Sequence, residues 1–183
     1  MPDATFDNAI EFARELIRIP SLPGDEGTLA KRLAGEMTAL GFEGVASDDL
    51  GSVYGVIRGG GDAPAVMLSC HLDMVAVGDE SEWEVPPLEG AVKDGYLHGR
   101  GAMDIKGPLA LQTYVAASMA GSASGDIIVA HTVLEERGGW GMQHLVESGA
   151  VEPAAVIIGE STQGDIRGRD SWGRVARFCT RAR

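Results

Sequence analysis

Cysteine is scarce. Two occur in 183 residues, Cys70 and Cys179, far apart and outside any CxxC pairing. That excludes a disulfide framework and a thiolate zinc finger, and a reducing cytoplasm is the expected compartment. Positive charge is short as well: 15 lysines and arginines face 27 aspartates and glutamates, a net −12. Phosphate backbones would be repelled, so no nucleic-acid partner is expected. No apolar run approaches the ~20 residues of a membrane-spanning helix, and no membrane partner is expected. The first 21 residues carry acids throughout and lack an apolar h-region, so no secretory signal is expected. What the chain does have is 44% hydrophobic residues, enough at this length to bury one sizeable core.

Charge is unevenly placed. Residues 167–183 hold six of the twelve arginines and a single aspartate, a local +5 beside −17 for residues 1–166. The segment shows little apolar periodicity. Two units are therefore expected: 1–166 as the folded body and 167–183 as an arginine-rich tail.

Periodicity orders the body. Phe6, Ile10, Ala13 and Ile17 suggest an amphipathic helix stopped by Pro20, and Leu29, Leu33, Met37 and Leu40 a second ended by Gly41. SVYGVI (52–57) reads as a strand. AVMLSC (65–70) and DIIVAHTV (126–133) are continuously apolar, as strands buried on both faces of a parallel sheet are, and AAVIIGE (154–160) reads as another strand. Pro108 opens a helix running to about Ala120, and GWGMQHLVESG forms a short helix closed by Gly149. Apolar strands alternating with helices predict an α/β fold, a mainly parallel sheet flanked by helices.

Ligands of open α/β sheets bind beyond the carboxyl ends of the strands. Here AVMLSC runs into His71-Leu72-Asp73, DIIVAHTV through Leu134 into Glu135-Glu136, and AAVIIG into Glu160. A fourth acid, Asp104 in GRGAMDIKG, sits in a glycine-rich loop before a helix. One imidazole with several carboxylates on one rim is a metal-site composition suited to zinc, cobalt or manganese.

Each residue alone has a plainer role. Asp104 could only complement a helix dipole, Glu135-Glu136 could be a solvated pair, and His71 could be structural. Their combination favours a metal-assisted hydrolase: His-x-Asp lets the acid hold the imidazole's second nitrogen. Adjacent glutamates point in different directions, one toward metal and one toward a proton. His98 at a turn edge, His131 inside a strand and His144 on an exposed helix face are expected to be structural. Cys70 should point away from His71 and serve packing. Gly99-Arg100-Gly101 lacks the spacing of a phosphate loop.

At these residues the chain resembles the two-zinc aminoacylase and carboxypeptidase family, which includes acetylornithine deacetylase, succinyl-diaminopimelate desuccinylase, aminoacylase-1 and carboxypeptidase G. The likeness covers about residues 6–166 through IPSLPGDEG, SCHLDMVAVGDESEWEVPPLEG, DGYLHGRGAMDIKGPLA, TVLEERGGWG and AVIIGES. It implies a zinc-peptidase-like catalytic domain that hydrolyses the amide bond of N-acyl amino acids or small peptides. It also implies the roles. His71 resembles a ligand of one zinc, with Asp73 the acid behind it, and Asp104 the carboxylate bridging both metals. Glu135 resembles the general base, Glu136 a ligand of the opposite metal, and Glu160 a second ligand of the His71 metal. Two zinc ions are the implied cofactor, with cobalt or manganese as alternatives.

The family pattern also has parts these residues do not match: a lid or dimerisation domain after the Glu160 motif, and a last histidine ligand beyond it. Family members are often dimeric through that domain. On this resemblance the chain is expected to be the N-terminal portion of such an enzyme, weakly active or inactive alone. The alternative is a non-catalytic remnant that binds metal or a partner. Arg137 and Ser161 depart from the family pattern without touching the expected ligands.

Overall fold

A computed structural model describes residues 4–161 and the backbone of 175–177. The first helix, α1 (Phe6–Ile17), is capped by Thr5, whose hydroxyl accepts the Asn8 amide at 3.3 Å. Its buried stripe is Ala9, Phe12, Ala13, Leu16 and Ile17. Ala13 and Ile17 of the expected line are buried, but the stripe's centre lies to one side of it: Phe6 is 60% exposed, while Phe12, outside that line, is 2% exposed. Phe12 faces α3 (Gly107–Ser118), where its ring meets that of Tyr114 at 5.9 Å. Helix α2 (Gly27–Ala39) buries Leu29, Leu33 and Met37, as its periodicity predicts.

Six strands form one sheet: β1 (Glu43–Ser47), β2 (Val53–Ile57), β3 (Ala63–His71), β6 (Gly125–Thr132), β7 (Ala155–Ile158) and β8 (Val175–Arg177). Their order is β1-β2-β6-β3-β7-β8. The four strands from β6 to β8 run parallel, and β2 and β1 continue antiparallel on one side. The fold is therefore α/β with a mainly parallel sheet, as expected. Alternation along β6 shows why its apolar run is continuous. Ile127 and Val129 face the core shared with α1, α2 and α3, whereas Ile128 and Ala130 face Leu145 of α4 (Trp140–Ser148). A strand covered on both faces has no polar side to display.

Two elements escape the apolar pattern. β1 lies at the sheet edge, exposed or half-buried throughout, and carries Gly44. The hairpin β4 (Ala91–Lys93) and β5 (Tyr96–His98) forms its own small sheet. It turns on Asp94-Gly95, both at positive φ (53° and 81°), the geometry that a two-residue hairpin favours. Of the arginine-rich segment 167–183, only the backbone of β8 falls within the described residues, parallel to β7. Among the described residues no helix is long and apolar enough to cross a membrane.

Candidate metal centre

β3 is the middle of the three strands that end at one rim, with β6 on one side and β7 on the other. His71 is its last residue and sits level with Thr132 of β6. Buried at its root, the imidazole is held at both nitrogens. Nδ1 lies 2.9 Å from the Asp73 carbonyl and 3.4 Å from its Oδ1, and Nε2 lies 3.0 Å from Asp104 Oδ1 and 3.9 Å from Glu160 Oε1. Burial opposes a charged imidazole, but the hydrogen bonds to Asp104 and Asp73 outweigh it and raise its pKa to about 10.

Asp73 sits behind His71, as the His-x-Asp spacing suggests, yet its carboxylate has further duties. Fully buried, it accepts the Glu135 amide at 3.1 Å on Oδ1 and the Glu136 amide at 2.9 Å on Oδ2. Burial would raise its pKa; the His71 hydrogen bond and the two amides hold it below the ordinary carboxylate range. One side chain thus ties the end of β3 to the turn after β6.

Asp104 lies on a wide turn, Ala102–Lys106, entered through Gly101 at φ +81°. The Asp104–Ile105 peptide is cis. Lys106 anchors that turn from below: its buried ammonium donates to the Ile19 carbonyl at 2.6 Å, and burial pushes its pKa down to about 8. Asp104 itself stays half-exposed, with its pKa lowered by the His71 hydrogen bond. Glu160 follows Gly159, where a Cβ would come within 2.7 Å of Cys70 Sγ and 2.8 Å of Gln112 Nε2. A larger residue there would have to displace the Cys70 and Gln112 side chains. Burial, with Asp104 nearby, raises the Glu136 and Glu160 carboxyls above their usual range, His71 opposing in both cases.

The expected residues thus meet, in two groups that share His71. Donor atoms of His71, Asp104 and Glu160 lie within 4.8 Å of one another, as do those of His71, Glu135 and Glu136. A cleft of about 500 Å³ opens beside them, lined by His71, Glu135, Met142, Gln143 and Glu160 among others. The remaining candidates stay outside. Cys70 is buried, its thiol pushed up in pKa by burial and spent on Gln112 Oε1 at 3.3 Å. His131 accepts the Cys70 amide on Nδ1 at 3.1 Å, with Nε2 3.1 Å from the Thr113 hydroxyl, which itself donates to the Leu109 carbonyl. It is a neutral core histidine, its pKa lowered to about 3 by burial. His144 is half-buried rather than exposed. Sequence reasoning passed over Lys106, Glu26 and Ser52, which support these loops and carry no motif of their own.

The model of the family described as "Peptidase family M20/M25/M40" matches residues 67–170, from β3 past Glu160. The chain belongs to this family. Among its M20 relatives is a succinyl-diaminopimelate desuccinylase of Bradyrhizobium diazoefficiens, 40% identical over 111 residues, which are 56% of this chain and 28% of that protein. Another, the Escherichia coli K12 protein YgeY, named as uncharacterized, is 31% identical over 160 residues, 85% of this chain and 39% of its own length. Solved M20 structures share the fold. The Saccharomyces cerevisiae dipeptidase Dug1p superposes with a TM-score of 0.71 at 18% identity, covering 84% of this chain and 38% of that one. The Bacillus subtilis protein YXEP, described as a dinuclear metal-binding peptidase, gives 0.67 at 18% identity, covering 87% and 44%. The M20 chain thus spans less than half the length of each of these proteins.

Proposed function

We propose that this rim is a two-metal centre for amide hydrolysis. His71, Asp104 and Glu160 would hold one ion and Glu136 the other, with Asp104 shared between them. Zinc is the proposed metal, with cobalt or manganese as alternatives. The observation that carries the reading is the convergence of one imidazole and two carboxylates within 4.8 Å, from two neighbouring strand ends and the turn before α3. Such a donor set fits a divalent ion of intermediate hardness and offers no thiolate, because Cys70 is turned into the core. When bound, the metal pair polarises the scissile carbonyl and makes a water molecule more acidic.

The chain's own groups do the rest. Glu135 Oε takes a proton from the attacking water and returns it to the leaving amine nitrogen. Asp73 accepts from both glutamate amides, which keeps the base and the neighbouring ligand in fixed register. The Asp73 carbonyl accepts from His71 Nδ1–H, which aims Nε2 at Asp104 and Glu160, where it would face the ion. The proposed substrates are N-acyl amino acids or small peptides; relatives named as a desuccinylase and a dipeptidase support that class. Residues 1–166 are proposed as the N-terminal portion of the catalytic domain, and 167–183 as a separate segment. The 183 residues alone are proposed to bind metal more readily than they turn over substrate. Zinc per chain and release of free amine from N-acetyl and N-succinyl amino acids test the reading together. Metal with hydrolysis supports it, metal alone favours a non-catalytic role, and no metal overturns it.

A further inference from the structure

The turn that presents Glu135 and Glu136 borrows its hydrogen bonds from far away. Four consecutive backbone amides each end on a side-chain oxygen. Val133 N donates to Ser52 Oγ at 3.4 Å and Leu134 N to Glu26 Oε1 at 3.1 Å. Glu135 N and Glu136 N donate to the two oxygens of Asp73. All three accepting side chains are at most 4% exposed. They come from the start of α2, the residue before β2 and the end of β3. Leu134 stands at φ +57°, a left-handed conformation that a branched side chain holds only when its surroundings impose it.

Glu26 is the least expected member. Its second oxygen accepts the Gly24 amide at 2.8 Å, so both oxygens serve main-chain N–H groups. Among the described residues no cation pairs with it. Burying a carboxylate is unfavourable unless it is fully hydrogen-bonded. Two amides from separate loops supply that here, and in return Glu26 fixes where the Leu134 peptide points.

We infer that Glu26 is a positioning residue for the Glu135–Glu136 turn, acting through the Leu134 amide and supported by Ser52 one amide earlier. The inference rests on the assignment of that turn to the metal centre. Glu26 sets the direction from which Glu136 approaches the metal and Glu135 approaches the water. Glu26→Gln keeps the size but offers one acceptor oxygen beside an NH₂ group, so one of the two amides loses its acceptor.

The test uses the 183-residue chain stripped with a chelator and titrated with cobalt, followed by visible absorption. Glu26→Gln is compared with wild type, Glu136→Gln and Leu33→Ala, the last a buried position on α2 away from the turn. Far-UV circular dichroism confirms that each variant is folded. Glu26→Gln should weaken cobalt binding about 10–100-fold and alter the absorption bands, in the same direction as Glu136→Gln. Leu33→Ala should lower the urea midpoint and leave the cobalt curve in place. A Glu26→Gln chain that loses stability but binds cobalt as wild type does, while Glu136→Gln binds it more weakly, overturns the positioning role and leaves the metal assignment standing. An unchanged curve for Glu136→Gln overturns the assignment itself. Should Glu26→Gln not fold, Ser52→Ala carries the test, with about threefold weaker binding expected from one lost hydrogen bond; an unchanged curve there overturns the inference.

Discussion

Two neighbouring residues, Cys70 and His71, show how one strand separates packing from chemistry. Alternation turns the thiol into the core and the imidazole toward the rim. Glu135 and Glu136 are proposed to divide their work similarly, across a turn rather than by strand pleat. Glu135→Gln should keep the metal content of wild type while hydrolysis, in a form of the protein that turns over, falls by about 10²–10⁴. Loss of metal in that variant, with retention in Glu136→Gln, would show that the two roles are exchanged. His131 makes a separate prediction about acid stability. Its folded pKa, about 3, lies below its ordinary 6.5, so below pH 6.5 the unfolded chain takes up a proton that the folded chain refuses. Stability therefore falls as pH drops from 6.5 toward 3, by up to about 1.4 kcal/mol per pH unit from this one group. His131→Gln should flatten the dependence of the urea midpoint between pH 6.5 and 4.5. An unchanged slope would show that the imidazole is not held neutral.

At the scale of elements, the strands that carry the site were the most legible part of the sequence. β3 and β6 are buried on both faces, so their apolar runs are unbroken and the residues beyond them stand out. The helix face was less legible. In α1 the expected line shares Ala13 and Ile17 with the buried stripe, and contact with α3 shifts the stripe's centre to Phe12. Phe12 is wedged between Tyr114 and Arg32, whose guanidinium lies 4.7 Å from its ring centre. Phe12→Ala should accordingly cost about 3–5 kcal/mol, whereas Phe6→Ala at the exposed end should stay within about 0.5 kcal/mol. Chemical denaturation of the two variants measures the difference directly, and equal costs would contradict the burial of Phe12 against α3. The supports of the site were not legible. Glu26, Ser52 and Lys106 reach the site's loops through hydrogen bonds across 108, 81 and 87 positions of chain. No local pattern encodes a contact of that separation.

For the molecule as a whole, the order of the strands matters more than any one of them. Placing β3 between β6 and β7 brings three chain segments, distant in sequence, to one edge, and the turn before α3 adds Asp104 from the side. The solved M20 structures share the fold within chains about twice as long. These four segments are proposed to form one shared metal site, and Asp104 is where sharing is most exposed to test. Zinc bound per chain is to be counted by equilibrium dialysis of chelator-stripped protein, for wild type, Asp104→Ala and Glu160→Ala. Zinc is expected in the wild type, with loss at both positions in Asp104→Ala and loss mainly of the His71 ion in Glu160→Ala. An Asp104→Ala chain that holds as much zinc as the wild type, with the same affinity, would contradict the shared site.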